Sequence, residues 1–141
     1  MRVRWLGWAG VEMEADGATV VVDALEDAAA VFATLAERVP SAPEVTAPRP
    51  GAVAALVTHL HRDHADAAAI VGAIAPGAPV LEPPAPTGET RENLALLQAE
   101  HELSAAGVER VRLQPWESRS AGPFTLTAVP AADGLGDPQV S

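Results

Sequence analysis

The chain contains no cysteine, no lysine and no tyrosine, and only 4% of its 141 residues are aromatic. These absences exclude disulfides, a thiolate nucleophile, a Schiff-base lysine and a phenolic acid or base. The sequence also has no Gly-x-Ser-x-Gly elbow, no phosphate-binding loop and no dinucleotide fingerprint. Histidine and carboxylate side chains therefore remain as the main candidates for chemistry.

Long apolar runs and basic patches are also lacking. No segment is long enough to cross a membrane, and Gly7 and Gly10 interrupt the apolar start of the chain, so we expect a cytoplasmic protein without a membrane partner. The formal net charge is −10, which disfavours a nucleic-acid partner and favours a small-molecule substrate. All nine basic residues are arginines and alanine is abundant, which is typical of a GC-rich bacterial genome.

One short segment concentrates the metal-binding side chains. His59, His61, Asp63 and His64 lie within six consecutive positions and include three of the four histidines of the chain. Imidazole and carboxylate together suit zinc, iron or manganese. Because side chains at i and i+2 of an extended segment point the same way, we expect His59 and His61 to share one ion. A turn after them would direct Asp63 and His64 towards a second ion.

The flanking sequence places this cluster at the end of a strand. Residues 52–57 form a continuous apolar run typical of a strand buried on both faces, and residues 65–75 are alanine-rich and predict a helix. Further helices are predicted at 26–38 and 90–106, and further strands near Val80 and at 109–113 and 124–129. Residues 40–51, with four prolines, predict a surface loop. The site would then lie at the carboxyl end of a central strand of an α/β protein.

The segment His59-Leu60-His61-Arg62-Asp63-His64 resembles the His-x-His-x-Asp-His motif of the metallo-β-lactamase fold hydrolases. An amino-terminal hairpin with strands at 2–6, 10–14 and 18–22, closing at Asp23, strengthens the resemblance. It implies an αββα sandwich, in the α/β class, made of two similar halves. We expect residues 1–141 to be a single domain of this kind that is truncated at its carboxyl end, so that only the amino-terminal half is present.

Near the end of the chain, Val129-Pro130-Ala131-Ala132-Asp133-Gly134 resembles the place where the family supplies a third ligand, usually a histidine. The resemblance implies that Asp133 completes the first metal site, although Asp133-Gly134 is also a common turn sequence. The family's later aspartate and last histidine have no counterpart here. His101, between two glutamates of a predicted helix, is expected to be a surface residue.

The resemblance implies a metal-dependent hydrolase of the lactonase-like branch, acting on a lactone, ester or related bond through a metal-activated water. Asp63 would accept the proton of that water, and the ions would be one or two Zn²⁺, with Mn²⁺ or Fe²⁺ as alternatives. We expect the truncated chain to be inactive and to self-associate through an exposed sheet face. A non-catalytic metal-binding domain and a nuclease or phosphodiesterase of the same fold are the alternative functions.

Overall fold

A six-stranded sheet with helices against one face organises the chain. The structure is a computed structural model that describes residues 1–33, 41–84, 90–133 and 137–140. Within these ranges the elements follow in this order: β1 (Arg2–Gly7), β2 (Gly10–Ala15), β3 (Ala18–Val22), α1 (Ala28–Phe32), β4 (Ala54–Leu56), α2 (Ala67–Ala73), β5 (Val80–Glu82), α3 (Thr90–Ala105), β6 (Arg110–Arg112), β7 (Ser118–Ala121), β8 (Phe124–Thr127), β9 (Pro130–Asp133) and β10 (Asp137–Val140).

The strands of the large sheet lie side by side in chain order, from β1 to β6. The first three strands pair antiparallel through tight turns, and β3 to β6 pair parallel through connections that include the helices. The β-branched sequence Thr-Val-Val-Val of β3 favours such a central position. Two antiparallel hairpins, β7–β8 and β9–β10, follow the large sheet.

Alternating side chains give the sheet two buried faces. Val21 and Ala55 point towards the helices, while their neighbours Val20 and Ala54 point towards the β7–β8 hairpin. The helix-side core contains Leu6, Val21, Ala55, Val57, Leu60, Ile70, Val80 and Leu103. The hairpin-side core contains Val20, Ala54, Leu81, Leu113, Ala121, Leu126 and Ala128. This confirms that β4 is buried on both faces.

The parallel register brings the carboxyl ends of β3, β4 and β5 to one edge of the sheet. Val22 lies opposite Leu56, and Leu56 lies opposite Leu81. The register continues beyond the strands, since the Asp23 backbone N–H donates to the carbonyl of Leu56 at 2.9 Å. Polar residues that follow β3 and β4 therefore meet at this edge, which is where α/β proteins commonly bind ligands.

Several element boundaries differ from the sequence prediction. The predicted helix 26–38 appears as α1 over Ala28–Phe32, and residues 34–40 lie outside the described part. The predicted helix 65–75 is shorter because the Asp66 side chain accepts hydrogen bonds from the amides of Ala68 and Ala69 and so caps α2. Strands β7 and β9 were not predicted, whereas residues 135–141 predict a loop that leads into a new strand, and β10 lies in this segment. In the described part of the chain, no helix is both long enough and apolar enough to span a bilayer.

A buried carboxylate fastens the loop that precedes β4 to the amino-terminal hairpin. Glu12 of β2 is 2% exposed and accepts hydrogen bonds from Arg4 of β1 at 2.8 Å and from the Arg49 backbone and side chain at 2.8 and 2.7 Å. Burial alone would raise the pKa of Glu12, but the bonds from Arg4 and Arg49 outweigh it and lower that pKa to about 2. The carboxylate therefore stays ionised and holds the loop over a wide pH range.

This ion pair predicts an acid-dependent loss of stability. A carboxyl group whose folded pKa is depressed contributes stability above its unfolded pKa of 4.5, and that contribution disappears as the pH falls towards 2. Because both arginines are partly exposed, we expect a contribution of roughly 2 kcal/mol to the free energy of unfolding. Urea unfolding of the wild-type protein and Glu12→Gln between pH 7 and pH 3 measures it. The variant should lose most of the pH dependence, whereas the exposed Glu109→Gln should keep it; equal slopes in all three proteins would contradict the role of Glu12.

Candidate metal centre

The histidine motif folds as a compact turn between β4 and α2. Strand β4 ends at Leu56, residues 58–61 are bends and residues 62–64 form a turn. The backbone N–H groups of His64 and Ala65 both donate to the carbonyl of His61 at 2.9 Å. The extended geometry predicted for the His59–His61 pair is therefore wrong, because the strand ends before the motif starts. A turn, and not strand alternation, decides which side chains meet.

The turn brings three of the predicted ligands together. His59, Asp63 and His64 offer ligand atoms that all lie within 4.8 Å of one another, and all three residues are partly buried. The Asp63 Oδ2 atom lies 3.5 Å from His64 Nε2. The ring of His61 lies beside this group, with its centroid 4.8 Å from that of His59 and the two planes almost perpendicular. His61 thus lies next to the cluster of His59, Asp63 and His64 but is not a member of it.

These donors fit a divalent ion of the transition-metal class. Ligands around a tetrahedral zinc ion with bonds of about 2 Å lie roughly 3.3 Å apart, which is close to the observed separation of Asp63 and His64. Two imidazoles and one carboxylate suit zinc, iron and manganese alike, so the ligand set does not select one metal. The remaining predicted ligand, Asp133, is the last residue of β9, and its side chain lies outside the described part of the chain. Its role as a ligand stays a prediction.

Asp23 anchors the centre from the neighbouring strand. Its carboxylate is only 3% exposed and lies 2.8 Å from His64 Nδ1. It also accepts hydrogen bonds from the backbone N–H of Thr58 at 2.8 Å and from the Thr58 hydroxyl at 2.7 Å. In the tautomer with the proton on Nδ1, His64 donates to Asp23 and its Nε2 lone pair is available to an ion. Such carboxylate–histidine pairs orient metal ligands and raise their basicity.

Sequence reasoning assigned no role to two residues at this centre, Asp23 and Trp8. Asp23 was recognised only as the end of the hairpin, and the signal that could have identified it is an aspartate directly after a buried strand that pairs parallel with the motif strand. Trp8 lies in the turn between β1 and β2, and its indole N–H donates to Asp63 Oδ2 at 3.1 Å. No local pattern links Trp8 to a residue 55 positions away.

Two cavities border the motif. An open cavity of about 470 Å³ adjoins Arg62 and is lined largely by acidic groups, with Glu26, Asp27, Asp66 and Glu102 among them. A smaller apolar cavity of about 60 Å³ lies at the carboxyl ends of β3, β4 and β5, between Thr58 and Leu126. The acidic residues that line the larger cavity would repel a polyanion such as nucleic acid.

Comparisons with known proteins identify the family and the fold. Residues 18–140 match the family model of the beta-lactamase superfamily domain. No curated protein sequence matches the chain. Among solved structures, a protein from Parabacteroides distasonis ATCC 8503 described as a metal-dependent hydrolase is similar at 16% identity and a TM-score of 0.57, over 94% of this chain and 46% of that one.

Two further structures extend the comparison. A diphosphatase from the PhnP family is 19% identical with a TM-score of 0.52, over 92% of this chain and 46% of that one. The diiron β-hydroxylase CmlA from Streptomyces venezuelae is 18% identical with a TM-score of 0.60, over 98% of this chain and 26% of that one. The chain thus spans less than half the length of each of these proteins. Similarity at this level of identity shows the fold.

Proposed function

Because this chain belongs to the beta-lactamase superfamily and has the metallo-β-lactamase fold, we propose that it is the ion-holding half of a metal-dependent hydrolase that acts on small molecules. The observation that supports this most directly is the meeting of His59, Asp63 and His64 at the carboxyl edge of the sheet. The orientation of His64 by Asp23 adds support, because a ligand fixed in one tautomer is prepared for an ion.

The residues of the centre would have different roles in hydrolysis. His59, His61 and His64 would hold the ion or ions through their imidazole nitrogens, with Asp133 as a further carboxylate ligand. When bound, a divalent ion supplies Lewis acidity, which makes a water molecule more acidic and polarises the oxygen of the scissile bond. Asp63 would orient the attacking water and accept its proton. Asp23 and Thr58 keep His64 in place during this step.

We infer a small uncharged or weakly charged substrate, such as a lactone or an ester. The net charge of −10 and the acidic cavity beside Arg62 support this inference, since both disfavour a polyanion. Hydrolysis of a phosphate ester or anhydride is the second candidate, favoured by the structural similarity to a diphosphatase. We propose zinc as the ion and the cytoplasm as the location; the similarity to a diiron enzyme makes iron the main competitor.

Metal content is the direct test of this proposal. We expect the purified chain to retain about one zinc, iron or manganese ion after dialysis against a weak chelator, because three donors already converge. His59→Ala should lose that ion. Elemental analysis of the wild type, His59→Ala and the exposed-histidine control His101→Ala measures this directly.

The control and a second readout separate the alternatives. His101→Ala removes an imidazole from the exposed surface of α3 and should keep the metal content of the wild type. Equal loss in both variants, or no retained ion in the wild type, would make the proposed centre wrong. Since this chain is expected to be inactive alone, assays on a lactone, a carboxylic ester and a phosphodiester use a metal-loaded longer form that includes the second half of the fold. Hydrolysis by that form would identify a catalytic protein, and bound metal without hydrolysis would identify a non-catalytic metal-binding domain.

A further inference from the structure

Trp8 contacts the candidate centre from the amino-terminal hairpin. The four residues from Gly7 to Gly10 close the β1–β2 hairpin, and the Trp8 indole reaches from this turn to the motif. Its Nε1 donates to Asp63 Oδ2 at 3.1 Å, which is the same carboxylate oxygen that lies 3.5 Å from His64 Nε2. An element at the start of the chain thus touches the carboxylate to which we assign the proton transfer.

One ring contact and several backbone constraints position Trp8. Its ring packs edge-on against Phe32 of α1, with centroids 4.8 Å apart and planes at 77°. The Trp8 carbonyl accepts a hydrogen bond from the Trp5 indole at 3.0 Å. The Trp8 backbone has a φ of 47°, a left-handed conformation that costs a non-glycine residue on the order of 1 kcal/mol and persists only when the surroundings determine it. The backbone is therefore fixed, and the 42% exposed side chain is held by its contacts with Phe32 and Asp63.

The turn packs closely against the loop before β4. Thr46 donates its backbone N–H to the carbonyl of Leu6 at 2.6 Å. Gly7 has a φ of 95°, and a Cβ at this position would lie 2.2 Å from the carbonyl oxygen of Glu44, so no side chain fits there. The position of Trp8 is thus specified by the hairpin, α1 and this loop together.

We propose that Trp8 is a positioning residue for Asp63. An indole N–H donates and never accepts, so it fixes the ionised carboxylate without competing for the ion. The bond selects one orientation of the Asp63 side chain, in which it faces His59 and His64. Without it, the carboxylate is free to turn towards water, and the ligand set loses its alignment. The role in ion binding rests on the proposed function, whereas the Trp8–Asp63 bond itself does not.

Substitution of Trp8 by phenylalanine keeps an aromatic ring against Phe32 and removes the N–H donor. We expect Trp8→Phe to bind Co²⁺ about tenfold more weakly than the wild type, with a changed d–d absorption spectrum that reports altered coordination. Trp116→Phe is the matched control, because Trp116 is an indole that is 70% exposed in the turn before β7. Trp8→Phe in an Asp63→Ala background should weaken binding no further, since the acceptor of the indole N–H is already lost.

A measurement without metal tests the bond on its own. The chain has three tryptophans and so gives three indole N–H signals in a ¹⁵N correlation spectrum, assigned by loss of one signal in each Trp→Phe variant. In the metal-free protein, Asp63→Ala removes the acceptor and should shift the Trp8 signal while leaving that of Trp116 in place. An unmoved Trp8 signal, or unchanged Co²⁺ affinity and spectrum in Trp8→Phe, would overturn the proposal. A wild type that binds no Co²⁺ would overturn the proposed function, and the Trp8 signal would then decide the Trp8–Asp63 contact.

Discussion

Replacing Asp23 with alanine is expected to weaken metal binding by about 10- to 100-fold and to lower the free energy of unfolding by about 2–4 kcal/mol. The carboxylate is buried and serves the Thr58 amide, the Thr58 hydroxyl and His64 Nδ1, all within 2.8 Å. Its removal leaves these groups without their acceptor in a place that water reaches poorly. Calorimetric titration with Zn²⁺ and urea unfolding of the metal-free protein measure the two effects separately.

Two further variants show whether the shape or the charge of Asp23 matters. Asp23→Asn keeps the shape but turns one acceptor into a donor, so we expect a smaller loss of stability and still a marked loss of Zn²⁺ affinity. Asp27→Asn removes the same charge from an exposed residue four positions on, where the side chain caps α1. It should bind Zn²⁺ like the wild type. Similar affinities in the Asp23 and Asp27 variants would show that general charge, and not the bond to His64, governs the ion.

Replacing Glu82 with alanine is expected to cost about 3–5 kcal/mol of the free energy of unfolding. The Glu82 side chain has no exposed surface. It accepts hydrogen bonds from Nε and Nη2 of Arg110 at 2.8 Å each, and from Nε of Arg112 at 3.1 Å. Burial would lower the pKa of Arg110, but the bonds that Arg110 donates to Glu82 and Glu100 raise it above its usual value, so the arginine stays charged. The single substitution therefore leaves Arg110 and Arg112 to share Glu100 as their remaining carboxylate partner among the described residues.

A double replacement provides the control for this pair. When Glu82 and Arg110 are both replaced by apolar residues of similar size, no uncompensated charge remains, and the loss should be smaller than for Glu82→Ala alone. Urea unfolding of the two single variants and the double variant gives the coupling. If the double variant were less stable than Glu82→Ala, the stabilisation by Arg110 itself would exceed the cost of leaving its charge without Glu82.

The sequence was sufficient to predict the six strands of the large sheet and the group of residues that we propose as the metal centre. Apolar runs mark β3 and β4 because both strands are buried on two faces, and this signal survives without an alignment. Strand β7, with the sequence Ser-Arg-Ser-Ala, was missed since it is mostly exposed and carries no alternation. A new strand was expected within residues 135–141, and β10 forms there although it contains Pro138, which is unfavourable in a strand interior.

The arrangement of the site was less predictable than its composition. His59, Asp63 and His64 were all expected as ligands, but their grouping depends on where β4 ends, and element boundaries are the weakest part of a sequence prediction. The contacts of Asp23 and Trp8 depend on pairing and packing between segments 35 to 55 residues apart. Only the parallel register of β3 with β4 and the fixed hairpin turn bring these residues to the motif.

The side-by-side order of the strands has a consequence for how the chain assembles during synthesis. Each strand of the large sheet pairs with the one made just before it, so a growing chain can extend the sheet at one edge without rearranging what has already formed. Asp23 and Trp8 leave the ribosome before the histidines that they contact. The residues that anchor the centre are therefore synthesised before the ligands that they contact.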